Sequence, residues 1–293
     1  MSCPFETTTI TSEPGWSVES LGRGVYLFRW QQGFYLSPFV VDATGVWASD
    51  PISAQAAQAY RAAIESVTDA PIRWLGYSHD HRDHIVGGHA LAPDADVLAH
   101  AHVARRVDER NDTDIRRPTH DVGDGHVHAF GSRRIDHHYF GPNHSGSNVL
   151  YTIATDHGRM LVWVDGVEPG VAPYRNLPDT DFAGYLHSLE RALELEFDFV
   201  IGGHTGPGGR EWVSDYRDYL LRLLDATRRE YEVDGGQTPL PGEDGIAMTE
   251  RVRHGVTERA AAALRDRYGH WPGFDVWAPQ TADRILSFLI TGN

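Results

Sequence analysis

The run SHDHRDHIVGG, residues 78–88, places His79, Asp80, His81, Arg82, Asp83 and His84 side by side. Imidazole nitrogens and carboxylate oxygens are the natural protein ligands of zinc and similar ions. His79 and His81 are two apart, so in an extended segment they project to the same side. Asp80 and Arg82 alternate with them and should point away. Asp83 and His84 follow where a helix begins. A two-apart pair plus an adjacent pair converges poorly on one ion but can serve two neighbouring ions, so the loop reads as half of a binuclear site. Three further residues of ligand type stand at the ends of apolar strands: His144 in GPNHSGS, Asp165 at the end of MLVWVD and His204 at the end of FVIGGH. Strand ends are where a rigid sheet delivers side chains to a shared cleft.

The elements that must position these residues are legible in outline. Residues 16–30 and 33–49 show short apolar runs broken by turn residues, as in antiparallel hairpins. Residues 53–68 are alanine-rich with apolar spacing near 3.6, which predicts a helix capped by Ser53. Strands are expected at 71–78, 95–100, 126–130, 134–140, 148–155 and 159–165, with another closing at 197–204. Helices are expected over 101–109, 181–196, from 210 onward, and across most of 246–292 with a break at GHWPGFD. A Pro/Gly-rich loop spans 166–180. Strands and helices mix without strict βαβ alternation. Two β-rich halves flanked by helices predict an α/β (α+β) chain built as a four-layer αββα sandwich with a helical tail.

The composition narrows the function. Of the 293 residues, 41% are hydrophobic, which suits a globular core. The opening twenty residues lack the apolar segment of a signal peptide, and no apolar run is long enough to span a membrane, so a cytoplasmic protein without membrane association is expected. The single cysteine, Cys3, rules out an intrachain disulfide or a thiolate cluster, and nothing nearby would activate it as a nucleophile. A net charge of −15 argues against nucleic acid. Every basic residue other than histidine is arginine, which removes Schiff-base chemistry and a Walker lysine. Ser145 and Ser147 lack a nucleophile elbow. GGHTGPGGR fits no phosphate-loop fingerprint and reads as the turn around His204. His89, His100, His102, His120, His126, His128, His137, His138 and His157 read as ordinary structural histidines.

Taken together, HxHxDH, the downstream GPNHSGS histidine, the strand-end aspartate and the GGH histidine resemble the metallo-β-lactamase fold superfamily, most closely its glyoxalase II and lactonase branch. The resemblance covers residues 16–215. It implies a catalytic domain over 1–215 and a helical extension, 216–293, packed on it. It further implies that His79, His81 and His144 hold a first metal, that Asp83, His84 and His204 hold a second, and that Asp165 bridges them. Asp50 in WASDP matches the early aspartate that orients the ligand loop, although Pro51 replaces the usual glycine. Two divalent ions, zinc first and iron or manganese as alternatives, would share and activate a water, with Asp83 assisting proton transfer.

The expected function is therefore metal-dependent hydrolysis of a small-molecule ester, lactone, thioester or amide. Glyoxalase II proper is disfavoured by the missing lysines. A true β-lactamase is disfavoured by the bridging aspartate and the missing secretion signal. The alternatives are a mononuclear iron dioxygenase of the persulfide type, with His79, His144 and Asp165 as its triad, and a specialised biosynthetic enzyme of the same fold. The segments 29–35 and 166–179 should overhang the metals, with Trp30, Phe34, Tyr174 and Arg175 as pocket candidates. Arg175 would be suited to a carboxylate. The tail helices are expected to cap this pocket or to form a homodimer contact.

Overall fold

The computed structural model describes residues 5–32, 34–234 and 238–292. Cys3 lies outside them. One sheet holds eight strands in chain order: β1 (Thr8–Glu13), β2 (Trp16–Gly22), β3 (Val25–Trp30), β4 (Tyr35–Asp42), β5 (Gly45–Ser49), β6 (Ile72–Gly76), β7 (Asp96–Ala99) and β8 (His120–Asp121). Pairing is antiparallel through β5 and parallel from β5 to β8. The second sheet runs β14 (Gly208–Gly209), β13 (Phe199–Ile201), β12 (Gly158–Val162), β11 (Leu150–Thr155), β10 (Arg133–His138) and β9 (Val127–Phe130). Within it only β12 and β13 pair in parallel.

The helices are α1 (Ala54–Glu65), α2 (Arg82–Ile85), α3 (Gly88–Leu91), α4 (Ala101–Arg110), α5 (Phe182–Glu194), α6 (Glu211–Asp234), α7 (Gly245–Ala262), α8 (Arg265–Tyr268) and α9 (Phe274–Thr291). Ser53 caps α1 as its sequence predicts, accepting from Ala56 N at 3.1 Å.

Three apolar cores define four layers. Val18, Phe28, Phe39 and Val46 pack against Tyr60, Ala63 and Ile64 of α1. Leu27, Val40 and Trp47 meet Ile153, Val162 and Phe199 between the sheets. Leu150, Leu161 and Val200 face α5, α6 and the tail helices. The order is thus helix, sheet, sheet, helix, as apolar residues on both faces of the central strands require.

Two expectations shift. The boundary at 215/216 falls inside α6, and residues from α6 to α9 share one continuous core with α5 and the second sheet. Strand β1 was not foreseen, because TTITSE is polar and exposed at the sheet edge. No helix among the described residues is long and apolar enough to cross a membrane.

Candidate metal centre

The cluster forms where the chain leaves the ends of β6, β12 and β13. Strand β6 stops at Gly76, and the segment 77–81, which bends at His79 and Asp80, carries His79 and His81 before α2 opens at Arg82. The alternation is as expected. Asp80 turns away: its carboxylate is 3.1 Å from Arg110 and accepts from Ser147 Oγ at 2.6 Å. Arg82 is engaged by Asp112 and Asp114.

Two groups of ligand atoms converge: His79, His81, His144 and Asp165, and His84, Asp165 and His204. The Asp165 carboxylate belongs to both. Its Oδ2 lies 3.6 Å from His79 Nε2, 3.3 Å from His84 Nε2 and 3.4 Å from His144 Nε2, and its Oδ1 lies 3.0 Å from His204 Nε2. His81 presents Nδ1 to His144 Nε2 at 3.3 Å. Asp165 stands three residues past the end of β12, with φ at +61°. A non-glycine residue is held in that region only when its surroundings over-determine it, and such strain gathers at functional sites.

These residues fit metal ions. His79 Nε2, His84 Nε2 and Asp165 Oδ1 are buried and make no hydrogen bond, although all three face the cluster. Buried polar atoms without partners are costly and rare, and a cation satisfies them. The opposite ring edges are braced where partners exist. Ser78 Oγ is 2.8 Å from His79 Nδ1, and His204 Nδ1 donates to the Phe34 carbonyl at 3.1 Å. Burial holds the His79 imidazole well below its usual pKa, reinforced by His81 and His84. Burial acts the same way on His84, but the Asp165, Asp50 and Asp83 carboxylates outweigh it and raise His84 to about 9. Burial pushes Asp165 up, yet the surrounding imidazoles hold it well below the carboxylate range. Cations would thus find an ionised carboxylate and would displace protons from His84.

Asp50 and Asp83 sit less simply than expected. Asp50 is buried, accepts from Ser78 N at 2.8 Å, and keeps its other oxygen 3.9 Å from His84 Nδ1, behind the cluster. Asp83 stands at the rim, outside both converging groups. Its Oδ2 is 3.8 Å from His84 Nε2 and accepts from the Tyr35 hydroxyl at 2.8 Å.

Of the four pocket candidates, Phe34 and Tyr174 line a cavity of about 670 Å³ over the cluster. Trp30 does not. It is buried in the core between the first sheet and α1, because its position in β3 turns it to that face. Arg175 does not either. It lines a separate groove with Glu250, Arg253 and Asp283, so no guanidinium faces the cluster from this loop.

Sequence reasoning missed Glu168, Tyr35 and Trp277. Glu168 is buried and accepts from Gly203 N, His204 N, Thr205 N and Thr205 Oγ1, which fixes the loop that carries His204. Burial pushes its carboxyl pKa up against the pull of His204 and these donors. The approach is so close that a Cβ on Gly202 would collide with the Glu168 carboxylate, and one on Gly203 would lie 2.8 Å from Val164. The one available signal was a lone acid in the Pro/Gly-rich GVEPG.

With two facing sheets, outer helices and a His/Asp cluster suited to metal ions at the strand ends, the chain has the metallo-β-lactamase fold. Solved structures agree. A metallo-β-lactamase from Pontibacter korlensis superposes with a TM-score of 0.56 at 14% identity, covering 73% of this chain and 99% of that one. One from Erythrobacter litoralis, with β-mercaptoethanol in its active site, gives 0.59 at 18% identity, covering 73% and 98%. No protein-family model matches the chain. Among curated proteins, the 2,4-dinitroanisole O-demethylase subunit alpha of Nocardioides sp. (strain JS1661) is 29% identical over 231 residues, 76% of this chain and 69% of the relative.

Proposed function

We propose that the chain is a metal-dependent hydrolase of a small molecule, cleaving a carbon–oxygen or related acyl bond with water. The observation that carries this reading is one carboxylate, Asp165, shared by two histidine groups. Two divalent ions held there would polarise the substrate oxygen and bring the pKa of water toward neutrality. Asp165 would be their common ligand, with His79, His81 and His144 on one side and His84 and His204 on the other. Asp83, which accepts from the Tyr35 hydroxyl at the rim, would take a proton from the attacking water. Glu168 keeps His204 in place from behind.

The likeness to a protein named for demethylating 2,4-dinitroanisole widens the candidate bonds beyond esters and lactones to activated aryl ethers. In a hydrolytic version an aryl methyl ether and water give a phenol and methanol, with no change in oxidation state.

The test is elemental analysis of protein purified without added metal, followed by panels of aryl esters, lactones and aryl ethers. Close to two zinc per chain with hydrolytic turnover supports the proposal. One iron per chain with oxygen uptake overturns it in favour of a dioxygenase using His79, His144 and Asp165.

A further inference from the structure

The walls of the cavity differ sharply from its floor. Beyond the imidazoles and carboxylates of the cluster, its walls are mainly apolar, Phe34, Val171, Tyr174, Leu177 and Trp277 among them, and the hydroxyls of Tyr35, Thr205, Tyr185 and Tyr216 are already donated to Asp83, Glu168 and the Gly166 carbonyl. Among its described lining residues there is no arginine, asparagine or glutamine, and the formal charges are carboxylates: Asp83, Asp165 and Glu168. A substrate with a carboxylate or phosphate remote from the reacting bond would lose its hydration there and gain no counter-ion, which is strongly unfavourable.

The aromatic content is specific too. The rings of Tyr174 and Trp277 meet edge-to-face, with centroids 5.2 Å apart. Tyr174 and Phe34 are among the most exposed large hydrophobic side chains of the protein. Isolated exposed aromatics are unremarkable in general, but here these two join the partly buried Trp277 around one cavity of ligand size. Their faces offer stacking and edge contacts that a flat ring can use and a saturated chain cannot.

Trp277 comes from α9, and the same helix holds the loop opposite the cluster. Thr281 Oγ1 donates to the Arg175 carbonyl at 2.7 Å, and Arg284 donates to the Thr180 carbonyl at 2.8 Å. The loop they hold carries Arg175, Leu177 and Asp179 at positive φ.

We propose that this pocket selects substrates with an uncharged aromatic ring, seated against Trp277 and Tyr174, and that the C-terminal helix α9 is thereby the specificity element of the site. This rests on the reading that the cavity serves the metal cluster, but it concerns recognition and not the reaction.

The test is equilibrium dialysis of the zinc-loaded full chain against three probes: 1,3-dinitrobenzene, nitrocyclohexane as a saturated comparator, and 3-nitrobenzenesulfonate as a ring with a fixed negative charge. The expected order has 1,3-dinitrobenzene binding at least about tenfold more tightly than either comparator. Trp277→Phe should hold it within about threefold of wild type, while Trp277→Ala and Tyr174→Ala should each weaken it about tenfold with zinc content unchanged. Tyr174 is half-exposed on a loop, so that variant guards against a Trp277 variant that fails to fold. Equal binding of all three probes, or no loss in either alanine variant, overturns the proposal. Selective binding by a protein that carries one iron and consumes oxygen would uphold it while sinking the hydrolase reading.

Discussion

Replacing Glu168 by glutamine should uncouple the His204 loop from the rest of the site. In the native arrangement Oε1 accepts from Gly203 N at 2.5 Å and from His204 N at 3.2 Å. Oε2 accepts from Thr205 N and Thr205 Oγ1, each at 2.9 Å. Every partner is a donor to a charged acceptor, and glutamine is nearly isosteric but turns one oxygen into a donor. Whichever way the amide is placed, its NH₂ faces a backbone N–H. Losing a hydrogen bond to a charged group costs about 1.5–3 kcal/mol, and the stranded donor adds about 1–3 kcal/mol. Glutamine is cheaper to bury than a carboxylate, which offsets part of that, so a net loss of about 2–4 kcal/mol is expected. At about 2.1 cal/mol/K of unfolding entropy per residue, a chain of this size should lose about 3–7 °C in Tm. Differential scanning calorimetry in a chelator isolates this effect from any metal contribution. A parallel zinc titration should show one of two equivalents weakened about 10–100-fold, the usual cost of losing support behind a ligand. If Glu168→Gln melts within about 1 °C of wild type and binds zinc as wild type does, the bracing role assigned to Glu168 is wrong.

Two other expectations follow from the same geometry. His204→Ala should keep one tight metal equivalent, whereas Asp165→Asn should lose both, because only Asp165 belongs to both groups; chelator-competition titrations separate the two, and two tight equivalents in His204→Ala would sink the shared-carboxylate reading. His137 is buried in β10 with neither ring nitrogen hydrogen-bonded, and burial, with His126 and His128, pushes it down to about 3. The unfolded chain takes up that proton near pH 6.5 and the folded one does not, so stability present above 6.5 should erode toward pH 3 by up to about 1.4 kcal/mol per unit. In His137→Leu the gap between urea midpoints at pH 7 and pH 5 should narrow; an unchanged gap refutes the assignment.

Much of the site was legible because its ligands carry their own chemistry and sit at element boundaries that apolar runs disclose. HDHRDH between β6 and α2 is such a case, and so are His144, Asp165 and His204. What escaped depends on orientation or on distant partners. Trp30 looked like a pocket wall until its place in β3 turned it into the core beside α1. Arg175 lies in the overhanging loop but faces the groove beside α7 and α9. Glu168 means nothing locally, because its donors lie some 35 to 37 residues further along the chain. Tyr35 gains its role only when the start of β4 is laid against α2, where its hydroxyl meets Asp83. The edge strand β1 has no apolar alternation to betray it, since only its pairing with β2 makes it a strand.

The anchoring of the pocket loop by α9 has a consequence for how the protein comes into being. Thr281 lies 106 residues beyond the carbonyl it holds at Arg175. During synthesis the cluster residues of both sheets are therefore made well before the helix that completes the walls around them. A ribosome-bound chain can present imidazoles and carboxylates to passing ions while the recognition surface does not yet exist. Maturation of this protein should accordingly be ordered in time, with ion capture open to the nascent chain and the full pocket wall arriving only with α9.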